Sequence, residues 1–422
     1  MPAEGPPIES EVDLAAPKLR LGVAGLSRAF MLMLPAFLRH PRVQLVAAAD
    51  PRPEARHRFA RDYPAPAYAS VAELCADDMV QALYIATPHQ LHAEHVAMAA
   101  AHGKHVLVEK PMALTLDECQ KMIDTARSRG VHMIIGHSHS FDRPYQRTRE
   151  LIASGAFGNV RMITALNFTD YVYRPRRPEE LVTGKGGGVV FGQASHQIDI
   201  VRLLGGGKVR SVRSATGSWD PRRPTEGAYS AFLTFESGAF ASVTYSGYGH
   251  FDSDELLGWI GEMGQSREWR PYGAARQLLR QMKDSGDEAA LKSTRAYGQA
   301  ESSPPHATDT AFHNHFGLVI ASCDHADLRP VPRGIHIHAD ERQWFEELPA
   351  PFVPRGEVLD ELCDAVLLGR SPLHTGEWGM ATLEVCLAIL RSAAEGRELL
   401  LEHQAGIPDS FGAGASGPAR LP

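Results

Sequence analysis

Cysteine is scarce, long apolar runs are missing, and neither sign of charge dominates. The five cysteines (Cys75, Cys119, Cys323, Cys363, Cys386) are scattered with no CxxC pair, which excludes a disulfide framework or thiolate metal site and fits a reducing cytoplasm. No apolar stretch is long enough to span a bilayer, since charges or glycines interrupt each one. A formal charge of −7 spread over both signs gives no reason to expect nucleic acid or an anionic membrane as partner. The first 17 residues lack the apolar core of a secretory signal and read as a flexible tail.

What is present is a soluble composition, 44% hydrophobic and 22% charged, in 422 residues, too many for one ordinary core. Near-continuous apolar runs at 19–24, 43–49, 82–86, 105–108 and 132–135 read as buried parallel strands. Amphipathic stretches at 29–39, 53–62, 91–102 and 116–129 read as the helices between them, the last opened by the capping box Thr115–Glu118. Strand, helix, strand in alternation predicts a doubly wound parallel sheet of the Rossmann type over residues 18–142.

From about 143 the pattern changes. Helices are expected at 145–154 and 195–204, and strands of a large, mostly antiparallel sheet at 160–168, 209–217, 228–235, 239–247, 316–322 and 335–338. Residues 265–315 are expected as an irregular, mobile insertion with one helix at 274–283, and two helices, 355–369 and 377–396, close the domain. That second α/β domain would run over 143–403, before a disordered Gly/Ala/Pro tail at 404–422.

Three segments carry chemistry. Between the first strand and helix lie Gly25, Leu26, Ser27, Arg28 and Ala29, placed to offer backbone N–H groups to a dinucleotide pyrophosphate, although Ser27 stands where the fingerprint has a second glycine. Asp50 ends the second strand 25 residues after Gly25, as a ribose acceptor or as a turn cap. Its carboxylate favours NAD over NADP, while the neighbouring Arg52 keeps NADP open. Next come Thr87, Pro88 and His92, then Glu109 and Lys110 ahead of Pro111, just past predicted strand ends where open α/β sheets bind ligands. Lys110 there either relays a proton from a substrate hydroxyl or is an ordinary turn lysine. The third segment is a glycine triplet leading to Gln193, His196 and Asp199, the last two one helical turn apart as an acid/base pair or as caps.

Together the three segments resemble the glucose–fructose oxidoreductase/inositol dehydrogenase (Gfo/Idh/MocA) family over about residues 18–401, and Glu109-Lys110-Pro111 is the most specific mark. The resemblance implies an NAD-binding domain, a second domain whose open sheet commonly mediates a homodimer or homotetramer, Lys110 as catalytic lysine and His196 as active-site histidine. Members often carry an aspartate four residues before that histidine, and here the position is Gly192. Segments 173–181, 188–191, 197–202, 224–229 and 250–255 are similar to the branch that oxidises cis-dihydrodiols of aromatic carboxylates, of the phthalate 4,5-dihydrodiol type, to catechols. A carboxylated cyclic diol suits Arg174, Arg176 and Arg177, since guanidinium holds a planar carboxylate bidentately; a solvated loop would show the same arginines. Other readings are a sugar or cyclitol dehydrogenase, which needs no such arginines, and a non-catalytic NAD-binding regulatory protein. The histidines His89/His92/His95, His137/His139 and His336/His338 have no carboxylate or thiolate partner in sequence, so no metal is expected.

Overall fold

A computed structural model describes residues 17–136, 139–267, 272–282, 285–299 and 312–408. The expected flexible tail falls almost wholly on residues outside this set, as do His137 and much of the 265–315 insertion.

The apolar runs of the first domain form β1 (Leu19–Ala24), β2 (Val43–Ala49), β3 (Ala67–Tyr68), β4 (Ala82–Ile85), β5 (His105–Glu109) and β6 (Met133–Gly136), all parallel in the order β3-β2-β1-β4-β5-β6. Helices α1 (Arg28–Arg39), α2 (Pro53–Asp62), α3 (Val71–Cys75), α4 (His92–Ala101) and α5 (Leu116–Ser128) cover both faces. Strand order reverses between β1 and β4, so a crevice opens past their carboxyl ends, where ligands of such sheets sit.

The second domain runs through α6 (Arg143–Ala153), β7 (Val160–Phe168), a π-helical turn at Val190–Ala194, α7 (Ser195–Gly205), β8 (Val209–Gly217), β9 (Ala228–Phe235) and β10 (Phe240–Ser246). Then come α8 (Ala274–Gln281), α9 (Ser285–Ser293), β11 (Leu318–Cys323), β12 (Ala326–Val331), β13 (Gly334–Ala339), β14 (Gln343–Glu347), α10 (Gly356–Leu368), α11 (Gly376–Glu395) and β15 (Leu399–Leu400). Nine strands order as β14-β13-β12-β11-β7-β10-β9-β8-β15; β7 pairs parallel with β10 and the other neighbours pair antiparallel. One sheet face buries Ile163, Ala165, Leu233, Ala241 and Val243 against α6 and α7, while alternate residues face outward.

Three expectations need correction. Helix α10 does not belong to the second domain's core. Val358, Leu359 and Leu362 pack among Leu19, Phe30 and Phe37, so the chain returns to complete the first domain's helical layer. The insertion is not an irregular excursion throughout: Tyr297 is buried with its ring edge-on to Phe30 at 5.4 Å, and its hydroxyl donates to Asp62 at 2.6 Å. Residues 404–408 are docked rather than disordered. Gln404 Nε2 donates to Ala381 O at 3.1 Å, and the buried Arg202 donates to Ala405 O at 3.1 Å.

Candidate active site

The β1–α1 turn is built for close approach. Gly25 has φ +94°, and a Cβ there would lie 3.0 Å from Ala86 O and 3.1 Å from Thr87 N, so the turn crosses the end of β4 at a distance only glycine allows. Asp50 is buried, and its Oδ2 accepts the Leu26 N–H at 2.8 Å, pinning the turn open. Arg52 closes the arrangement, giving N–H and Nε–H bonds to Asp50 Oδ1 at 2.9 Å each and one to Leu26 O at 2.8 Å. Ser27 starts α1 without capping it, and its buried Oγ has no partner, an orphan polar atom where a pyrophosphate oxygen would lie. Gly25 to Ala29 therefore fit a dinucleotide pyrophosphate, while Asp50, buried with both oxygens bonded to Leu26 and Arg52, takes the turn-capping role of its two expected ones.

Lys110 follows β5 and is joined to Pro111 by a cis peptide. Its Nζ reaches across the domain boundary to donate to Gly192 O at 2.8 Å. Burial, opposed by Glu109 and Glu262 and aided by Arg355 and Arg176, lowers its pKa from 10.5 to about 8. Glu109 itself turns inward, accepting from Tyr84 at 2.5 Å. His92 is buried between two turns, with ring nitrogens 3.1 Å from Thr87 O and 3.2 Å from Met112 O. Burial brings its pKa to about 4, and as a neutral ring it donates to one of these two carbonyl oxygens at a time. Thr87 Oγ1 meets His95 Nδ1 at 2.9 Å, and Pro88 leads into the following helical turn.

On the opposite wall the Glu226 carboxylate shapes the glycine triplet: it accepts from Val190 N at 3.1 Å, and a Cβ on Gly188 would strike it at 2.0 Å. The π-helical turn that follows aims the Gly192 carbonyl at Lys110, and Gln193 Nε2 donates to the same oxygen at 2.8 Å. Tyr245 donates to Gln193 Oε1 at 3.3 Å. An aspartate at 192 would displace the Tyr171 ring, because a Cβ there would lie 2.1 Å from the Tyr171 hydroxyl.

His196 is buried beside His139, ring centroids 4.8 Å apart. His139 lies between carboxylates, Nδ1 3.0 Å from Asp142 and Nε2 3.3 Å from Glu262. Burial alone would lower its pKa, but hydrogen bonds to both acids outweigh that and raise it. Glu262 is pulled down to about 2 against the opposing effect of burial, by His139, Arg174 and Arg355, while a third of its side chain (32%) remains exposed. Glu262, Asp142 and Tyr171 carry no sequence motif; the His137/His139 spacing is the one signal that touches this cluster.

The predicted arginines separate. Arg176 is 92% buried (8% exposed), stacks over the Tyr171 ring at 3.6 Å, and its Nε–H has no acceptor. Arg174 donates to Asp170 at 2.8 Å, and that charge with Tyr245 and Glu262 raises its pKa despite burial. Arg177 is exposed and pairs with Glu179 at 3.2 Å, away from the other two. Two further cations join: Arg28, on the exposed start of α1, lies within electrostatic reach of Arg295, Arg174 and Arg176, and the half-buried Arg295 has its pKa lowered by burial and by Arg174 and Arg176. Asp199 is fully buried, accepting from Trp378 Nε1 at 2.5 Å, Thr382 Oγ1 at 3.0 Å and Ser140; it ties α7 to α11 instead of facing a substrate. His336 and His338 stack on the sheet at 6.3 Å, and among the described residues no group of three His, Cys, Asp or Glu is placed to hold a metal.

Two family models match the chain. An oxidoreductase family, NAD-binding Rossmann fold model covers residues 19–137, and a GFO/IDH/MocA C-terminal domain model covers 145–265. A Comamonas testosteroni protein named 1-carboxy-3-chloro-3,4-dihydroxycyclohexa-1,5-diene dehydrogenase is 49% identical over 373 residues, 88% of this chain and 94% of the relative. A crystal structure from Bordetella bronchiseptica RB50 superposes with a TM-score of 0.85 at 43% identity, covering 91% of this chain and all (100%) of that one. An Agrobacterium radiobacter oxidoreductase in complex with NAD+, L-tartaric acid and magnesium shares the fold, with a TM-score of 0.66 at 16% identity over 91% of this chain and 98% of its own. The chain is a member of the Gfo/Idh/MocA family of oxidoreductases, with an NAD-binding first domain.

Proposed function

We propose that this protein oxidises a cis-dihydrodiol of an aromatic carboxylate, of the phthalate 4,5-dihydrodiol type, to the corresponding catechol, using NAD. The observation that carries the reading is the gathering of Arg28, Arg174, Arg176 and Arg295 within electrostatic reach of one another, with Arg176 also acting on Lys110. Asp170 and Glu262 answer part of this charge, and the Nε–H of Arg176, without an acceptor among the described residues, is left as a donor for a substrate carboxylate. The named substrate of the Comamonas testosteroni relative carries one carboxylate and two hydroxyls on a cyclohexadiene ring, which supports the same substrate class here.

Gly25 to Ala29 would hold the pyrophosphate, with Asp50 and Arg52 bracing that turn; the bound nicotinamide would supply the hydride acceptor. Lys110 serves as base for the substrate hydroxyl. With a pKa of about 8 roughly one lysine in ten is neutral at pH 7, against about one in 3,000 for an unshifted side chain. His196, edge to face with His139, would assist from the second domain. The arginines orient the ring by its carboxylate, so the C–H beside the reacting hydroxyl is presented in one geometry. The ketone formed enolises to an aromatic ring.

The test is turnover: purified protein with NAD and phthalate-type dihydrodiol, followed by the absorbance of NADH. Turnover of inositols or aldoses, with none of any aromatic dihydrodiol, would move the assignment to the sugar and cyclitol branch. The outer face of the large sheet carries Met162 and Phe240 as cross-strand partners, with Phe232 stacked on Phe240 at 5.5 Å and 46% exposed. We assign this apolar strip to a homodimer or homotetramer contact, testable by light scattering. All five cysteines are free thiols, and no helix among the described residues is long and apolar enough to cross a membrane. A cytoplasmic location is consistent with both, and cell fractionation tests it.

A further inference from the structure

Lys110 and Gly192 define the reacting centre from two domains, and a third group lies against them that no sequence motif announces. Tyr171 follows β7. Its backbone is fixed: Arg176 Nη2 donates to Tyr171 O at 2.9 Å, and Tyr171 N donates to Thr169 Oγ1 at 3.2 Å. Its ring is held by the Arg176 guanidinium stacked on it at 3.6 Å. Its hydroxyl ends over Gly192, 2.1 Å from where a Cβ would stand, and the carbonyl of that same residue is the acceptor of Lys110 Nζ at 2.8 Å. Among the described residues this hydroxyl makes no hydrogen bond, and the residue is only half-buried, so its O–H is left to donate to a ligand.

We infer that Tyr171 is a catalytic residue: its phenol O–H binds the reacting oxygen of the diol, opposite Lys110. The inference rests on the dehydrogenase reading and specifies who holds the oxygen. In the step, the substrate O–H bond breaks with its proton passing to the neutral amine of Lys110. The C–H bond breaks with its electron pair passing to the oxidised nicotinamide, and the oxygen lone pair forms the C=O bond. Negative charge grows on oxygen as the proton leaves, and the Tyr171 O–H, donating throughout, stabilises it without itself being consumed. Gly192 then has a direct reason to lack a side chain. Its Cα is the floor on which that hydroxyl rests.

The alternative role for Tyr171 is mechanical, a ring that props Arg176. Tyr171→Phe separates the two, since it keeps the ring and the stacking and removes only the hydroxyl. Wild-type turnover of the dihydrodiol is measured first, and its absence would sink the dehydrogenase reading before Tyr171 is at issue. Given turnover, Tyr171→Phe is expected to lower kcat by about 10²-fold or more, the usual loss for one donor to a developing oxyanion. KM should change little, and the rise of rate with pH near 8 should persist because Lys110 is intact. Equilibrium binding supplies a readout independent of turnover: NADH affinity should stay unchanged, confirming the fold, while the catechol product should bind more weakly. A Tyr171→Phe protein with wild-type kcat and wild-type catechol affinity would overturn the inference, and so would a loss confined to KM, which marks a prop for Arg176.

Discussion

The pH dependence of the reaction follows from the charges around Lys110, and it can be made to move in both directions. If the neutral amine is the base, kcat/KM should follow its fraction. With a pKa of about 8 that fraction rises about ninefold from pH 6 to 7, about fivefold from 7 to 8, and is nearly flat above pH 9.5. Glu262 raises this pKa and Arg176 lowers it, each through space. Removing a charge about 10 Å away at an effective dielectric of ~20 is worth roughly 1.5 kcal/mol, or about one pH unit. Glu262→Gln should therefore shift the limb to lower pH by up to about one unit, and Arg176→Gln should shift it to higher pH by a similar amount. The measurement is steady-state kcat/KM from pH 6 to 10, each variant scaled to its own plateau, because Glu262→Gln also removes a charge that raises the pKa of His139. Two results would refute the reasoning: a wild-type rate still climbing with unit slope at pH 10, or both variants moving the limb the same way.

Arg176→Gln should also raise KM for a carboxylated diol by about tenfold to a hundredfold, the worth of one charged hydrogen bond, whereas a substrate lacking the carboxylate should lose nothing; equal losses on both would remove the carboxylate assignment. Asp199→Ala should cost at least about 3 kcal/mol in denaturant unfolding, because it strips the acceptor from the buried donors of Trp378, Thr382 and Ser140. An unchanged midpoint would contradict the structural role given to Asp199. Tyr297→Ala should cost about 3–5 kcal/mol, the range for deleting a buried aromatic, and should make the 272–299 stretch newly sensitive to limited proteolysis. A cleavage pattern identical to wild type would show that the ring is not what fastens this segment. His139 has a raised pKa, so its bonds to Asp142 and Glu262 stabilise the fold fully below about pH 6.5 and lose that contribution as pH climbs through the raised value; His139→Gln should flatten the alkaline fall of the melting temperature.

What was legible in the sequence was local. Buried parallel strands such as β1 and β2 are near-continuous apolar runs, and their limits follow from composition alone. Strand β14 escapes as the mostly exposed edge of the sheet, carrying Gln343, Glu346 and Glu347, and β12, paired with β11 and β13, escapes because Pro330 and its charged residues break the apolar pattern. Helix α3 was missed although Ser70 and Glu73 form the same reciprocal capping box that marks α5; its five residues are too short to show periodicity. Site residues divide on the same line. Gly25, Asp50 and Lys110 sit at strand ends that the pattern locates, whereas Glu262, Tyr171 and Arg295 reach the site by contacts between segments far apart in sequence. Asp199 shows the converse error: its spacing from His196 is right for a shared helix face, but its carboxylate is taken by Trp378, Thr382 and Ser140 while His196 meets His139.

The insertion bears on how the arginines are held before any ligand arrives. Helix α9 is fastened to the second domain through Glu288, which accepts the Arg176 N–H at 2.5 Å and takes Arg223 at 2.8 and 3.0 Å. Four residues beyond α9, Tyr297 is fastened to the first domain through Phe30 and Asp62. Arg295 stands between these anchors, so its place beside Arg28, Arg174 and Arg176 is set by packing on both sides. A cluster of four guanidiniums would ordinarily spread into solvent. Here Asp170 and Glu262 offset part of the repulsion, and a buried ion pair and a buried aromatic ring hold the segment that carries Arg295. Binding an anion then relieves stored repulsion and orders few side chains, which is how preorganisation converts folding free energy into affinity. It follows that loosening either anchor should weaken carboxylate binding without touching an arginine, and that Tyr297→Ala should raise KM for the diol while leaving the pH limb set by Lys110 where it was.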